Sequence, residues 1–107
     1  GDGNDFQLIS AIALAMARLD PAVARQLVEP CCDEFSWLYD ESHPSLTYGR
    51  CGVLTAATRI DPDWAAQVVE RIATTGLVHD EAHKLEMVRG VIDELRAMIV
   101  DVRRLRQ

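Results

Sequence analysis

A chain of 107 residues, 49% apolar and 26% charged, has the composition of one soluble globular domain, long enough to bury a core without disulfides or metal. Its net charge of −6 and pI near 4.9 argue against a nucleic-acid or anionic-membrane partner. It holds no run of about 18 apolar residues and no basic, apolar leader. A cytoplasmic protein is therefore expected, and one that starts at Gly1 rather than Met reads as a trimmed piece of something longer.

The first predicted helix runs from about Asn4 to Leu19, with Ile9, Ile12, Met16 and Leu19 inward at the 3.6-residue period. Ala11, Ala13, Ala15 and Ala17 allow another helix to approach closely. Asp20 then caps a second helix that opens at Pro21, because a carboxylate accepts the first free N–H groups and proline at the first position loses no hydrogen bond. That helix places Val23, Ala24, Leu27 and Val28 inward and is expected to end or kink at Pro30. Residues 31–42 read as irregular or a short helix carrying Phe35, Trp37, Leu38 and Tyr39.

A third helix spans about Pro44–Ile60, with Val53, Leu54, Ala57 and Ile60 inward; Gly49 and Gly52 weaken its first half. Asp61-Pro62 is a second sharp corner, opening a fourth helix to about Thr75 with Trp64, Ala65, Val68, Val69 and Ile72 inward and Gly76 as its stop. The fifth starts near Asp80 and runs almost to the C-terminus. No stretch alternates at period two, so no sheet is expected.

The chain repeats itself. Arg18-Leu19-Asp20-Pro21 recurs 41 residues on as Arg59-Ile60-Asp61-Pro62, and Ala24, Gln26 and Glu29 recur at the same step as Ala65, Gln67 and Glu70. Asp40-Glu41-Ser42-His43 recurs at step 40 as Asp80-Glu81-Ala82-His83. Gly52-Val53-Leu54 resembles Gly90-Val91-Ile92. An all-α fold of about five helices follows, stacked as antiparallel hairpins in a short right-handed array. Repeat 1 covers about 4–40, repeat 2 about 41–79, and a half repeat or cap 80–107. Through Asp20-Pro21 with Ala24, and Asp61-Pro62 with Ala65, the chain resembles a HEAT-like helical repeat over nearly its whole length, though no Val-Arg follows either Asp-Pro. The resemblance implies an architecture and a generic binding role.

Residues with chemical potential are few. His79 and His83 are four apart around Asp80 and Glu81, but Asp80 reads as a helix cap with His79 outside it, which favours a structural start over a metal site. Cys31, Cys32 and Cys51 with His43 lack a Cys-x₂₋₄-Cys pair, so zinc is disfavoured too, and the repeat register aligns Cys31 with Ile72 as a buried small hydrophobe whose neighbour Cys32 should differ in exposure. The duplicated Asp-Glu-x-His would lie side by side rather than converge as an acid–base pair. No cofactor is expected.

The last helix carries Leu85, Val88, Ile92, Leu95, Ile99 and Val102 at steps of three and four, widened by Val91, Met98 and Leu105. Arg89, Arg96 and Arg103 line its edge, either paired with Glu86 and Asp93 on the same helix or docked on an acidic surface of this chain or a neighbour. At about 40 Å from Asp80 to Arg106, its end should overhang, leaving Met98, Ile99, Val102 and Leu105 to be covered by a second copy, as a homodimer, or by a further repeat. The expected function is protein interaction or scaffolding without catalysis. The alternatives are a small metal- or ligand-binding domain, or an accessory domain of a larger enzyme.

Overall fold

The computed structural model describes residues 3–34, 38–40, 46–75, 78–79 and 85–106. The fold is all-α, with helices α1 (Gly3–Ala17), α2 (Pro21–Glu34), α3 (Leu46–Ile60), α4 (Pro62–Thr75) and α5 (Leu85–Leu105). α1 packs with α2, and α4 with α5; α3 lies centrally and touches all four. The helix corners follow directly from the two Asp-Pro pairs. At the first, Ala22 and Val23 donate their N–H groups to Asp20 Oδ1 at 3.1 and 3.3 Å, while Ala24 N–H takes the Asp20 carbonyl at 3.1 Å. At the second, Trp64 N–H donates to Asp61 Oδ1 at 3.1 Å and Ala65 N–H to the Asp61 carbonyl at 2.9 Å. Each corner thus joins two helices through a single non-helical aspartate or a turn just ahead of it.

Asp61 does more than Asp20, because Arg25 Nη1 on α2 also donates to its Oδ2 at 3.0 Å. Asp61→Ala is therefore expected to destabilise by about 1–2.5 kcal/mol, against about 0.5–1.5 kcal/mol for Asp20→Ala. Urea unfolding of the two variants checks the order; equal losses would remove the inter-helix contribution.

The core is built where the register aligns. Ala24 and Ala65, Val28 and Val69, and Cys31 and Ile72 are 41 apart and all buried, as are Val53, Leu54, Ala57, Ile60, Trp64 and Val68. Leu38 is completely buried as well. Helix α1 departs from expectation. Its buried face is Phe6, Ser10 and Ala13, flanked by half-buried Ile9, Met16 and Ala17, whereas Ile12 and Leu19 face out. Small residues let α1 approach α3: a Cβ at Gly52 would sit 3.8 Å from Ser10 Oγ, an ordinary contact, and Ser10 satisfies its hydroxyl on the Phe6 carbonyl at 2.7 Å. Close approach of backbones won over burial of the larger side chains.

Three further differences appear. Pro30 lies inside α2, which runs on to Glu34. The turn beyond it buries Cys31 and Cys32, and Arg71 Nη2 donates to the Cys32 carbonyl at 2.7 Å, which offsets the hydrogen bond proline removes. Two short strands, β1 (Tyr39–Asp40) and β2 (Val78–His79), pair in parallel where no sheet was expected, with Tyr39 opposite Val78 and Asp40 opposite His79. They occupy the corresponding place after α2 and after α4, so stacking of the two hairpins lays them side by side; two rungs are too few to leave a period-two pattern. Finally, α5 has 21 residues, about 32 Å, with its start at Leu85; residues 80–84 lie outside the described part.

Candidate interaction surface

Arginines tie the hairpins together. Arg25 stacks its guanidinium 4.9 Å from the Trp64 ring centroid and pairs with Asp61 and, at 3.5 Å, with Glu29. Arg71 reaches back from α4 to the C-terminal end of α2, and Arg106 donates to the Arg59 and Ile60 carbonyls, the free acceptors at the end of α3. The predicted arginine edge of α5 lies along α4. Arg96 is bidentate to Glu70, with contacts from 2.6 to 3.2 Å, and Arg103 Nη2 is 2.8 Å from Asp63 Oδ1. Asp93 adds a 3.3 Å contact to Arg96, while Arg89 stays on its own helix, 3.9 Å from Glu86. The edge therefore combines pairing on its own helix with docking on acids of this chain, Glu70 and Asp63 of α4.

The apolar stripe of α5 is largely spent within the chain. Val88, Ile92, Leu95 and Ile99 are buried, and Met98 and Val102 half-buried; of the four residues expected to need outside cover, only Leu105, 86% exposed, stands clear. The overhang is short because α5 lies along α4, where Arg96 and Arg103 pair with Glu70 and Asp63. A shallow groove between α4 and α5, lined by Ala66, Val69, Glu70, Arg96, Ile99 and Arg103, has both of its arginines already paired.

Of the metal candidates, only the cysteines have described side chains. Cys31 and Cys32 are both buried, so the expected difference in their exposure is not found: α2 continues past Pro30 and its last turn is enclosed on two sides. His79 lies in β2 on the far side of a strand pairing, its side chain outside the described part, as are His43 and His83. Among the described residues no three His, Cys, Asp or Glu side chains are grouped to hold an ion. Burial pushes the Cys32 thiol up from 9.0 to about 12, with Cys31 adding to the rise. Since the folded thiol keeps its proton where the unfolded one loses it, the stability linked to Cys32 is intact below pH 9 and is lost as pH climbs towards 12. Unfolding free energy should thus fall across that interval more steeply in the native chain than in Cys32→Ala; parallel profiles would contradict the linkage.

The unexplained surface is at the opposite end of the molecule. On α1, Leu8 is 61% exposed and Ile12 44%, Ala11 and Ala15 are also exposed, and Leu19, in the turn just past the helix, is 90% exposed. Steps of four and three from 8 to 15 set Leu8, Ile12 and Ala15 on one helix face, with Leu19 following in the turn. Alongside on α2, Leu27 is 37% exposed. Moved forward 41 residues, these positions are Gly49, Gly52, Val53, Ala56, Ile60 and Val68, of which all but half-buried Gly52 are buried. Gly52 is the residue that meets Ser10 of α1, so this is the face through which the second hairpin receives the first. The first hairpin presents the same face with nothing on it among the described residues. The signal was available in the sequence: the first helix is apolar on nearly every side, which a helix covered on one face alone does not require. No described helix is long and apolar enough to cross a membrane. Compared with protein-family models, curated proteins and solved structures, the chain matches none.

Proposed function

We propose that the chain is a HEAT-like helical-repeat module of the cytoplasm that binds protein and performs no catalysis itself. Its docking surface is the open end of the first hairpin, centred on Leu8, Ile12, Leu19 and Leu27. One observation carries this reading: an apolar face stands exposed on the first hairpin while its register equivalent is buried in the second. Large contiguous apolar patches on a protein surface mark contact sites. On α5, Leu105 with half-buried Met98 and Val102 forms a smaller, secondary patch, and Arg89 is the member of the predicted edge left nearest to solvent.

The test is a photo-crosslinking side chain introduced at Ile12 and, separately, at Gly90, an exposed α5 position with no atom within 4 Å of an added Cβ. Irradiation in native extract should give discrete protein adducts from position 12 and none from position 90. Failure at position 12, or equal adducts from both, would contradict the reading.

A further inference from the structure

We infer that the occupant of the open end face is a second copy of this chain, packed end to end about a two-fold axis; this rests on reading that face as a docking surface. Hairpins of a stacked array join through two unlike faces, as the first hairpin here joins the second. A second copy could extend the stack head to tail only by bringing the open face of one chain onto the far side of α3 and α4 in the other. That far side is taken. Leu95 and Ile99 of α5 are buried there, Arg96 and Arg103 clamp α5 to Glu70 and Asp63, and Arg106 closes the end of α3. The outward surface of α5 is mixed, with Arg89, Asp93, Glu94 and Asp101 exposed beside Met87 and Val100, which are 49% and 44% exposed.

The chain therefore has one open end and one closed end. Like must meet like, which makes the contact isologous and stops assembly at two copies. The chemistry of the face permits it. Leu8, Ala11, Ile12, Ala15 and Leu19 are uncharged, and the exposed charges beside them, Asp5, Arg18 and Asp20, are of both signs, so two such faces can meet with opposite charges paired at the rim, despite a net charge of −6 per chain. Its size is also adequate. Two helices about 22 Å long at an interaxial distance of about 9 Å outline about 400 Å² per copy. With side-chain relief, the pair removes about 1,000 Å² of surface from water, the lower end for a specific interface. A reversible dimer with a micromolar dissociation constant follows, rather than an obligate one.

Sedimentation of the purified chain across the micromolar range tests this, with Ile12→Lys and Leu19→Lys as variants at exposed positions and Gly90→Lys as a control on α5. Circular dichroism checks that each keeps its helices. The native chain should pass from monomer to dimer with concentration, Ile12→Lys and Leu19→Lys should each raise the dissociation constant by about tenfold or more, and Gly90→Lys should leave it unchanged. A native chain that stays monomeric at high micromolar concentration overturns the inference. So does a dimer indifferent to Ile12→Lys, a dimer lost with Gly90→Lys, or growth beyond two copies. A monomer whose position 12 still crosslinks to a different protein would defeat self-pairing and leave the interaction module standing; a monomer without crosslinks would defeat both.

Discussion

Trp64→Ala is expected to lower the unfolding free energy by about 3–5 kcal/mol. The indole is almost completely buried at the junction of the hairpins, with the Arg25 guanidinium 4.9 Å from its centroid. Truncation would leave a cavity, remove the cation–π contact and loosen the arginine that also holds Asp61. Its register partner, 41 residues earlier, is Val23, on the open side of α2 and only half-buried. Val23→Ala should therefore lose less than about 1 kcal/mol. Denaturant midpoints of the two variants give the comparison. Similar losses would mean that Val23 is covered as Trp64 is, and that the first hairpin has no open side.

Pro30→Ala is expected to stabilise the chain by about 1–2 kcal/mol. An interior proline is about 3 kcal/mol worse than alanine in a helix, because it removes an N–H and crowds the carbonyl four residues back. Part of that gain is offset by the greater freedom of the unfolded alanine chain. Pro30 is exposed, so the substitution uncovers no core. A higher thermal midpoint would show that the burial of Cys31 and Cys32 and the Arg71 contact hold the last turn of α2 in spite of the proline. A lower one would show that the proline itself directs those cysteines inward.

Those two substitutions sit on either side of what the residues reveal unaided. Both corners were legible, since Asp-Pro fixes a cap and a first helical position by local chemistry alone, and the capping distances agree. The α4 stripe was legible because its other side is polar: Asp63, Gln67, Glu70 and Thr74 leave one way to turn the helix. Helix α1 offered no such choice. With Leu8, Ile9, Ile12, Leu14, Met16 and Leu19 spread around it, periodicity picked Ile12 and Leu19 as inward, and packing picked Phe6, Ser10 and Ala13. The open face was missed for the same reason, although the 41-residue register, applied to burial rather than to identity, points to it. The arginine contacts to the Cys32, Arg59 and Ile60 carbonyls were out of reach, because a backbone acceptor leaves no mark on side-chain pattern. The third repeat match does not carry into packing at its glycines: a Cβ at Gly52 meets Ser10 of α1, whereas one at Gly90 meets open space.

Stacking in register, with one end closed and the other open, is tested most directly by thiol modification at two equivalent positions. Ile12→Cys and Val53→Cys are 41 apart, the first on the open face of α1 and the second on the completely buried face of α3. Rates read by peptide mass mapping separate them from the native Cys31, Cys32 and Cys51. In dilute protein, position 12 should react nearly as fast as in the unfolded chain, while position 53 should be protected by orders of magnitude, reacting only through opening of the fold. Equal protection of the two positions in the dilute monomer, or free reaction at position 53, would contradict it.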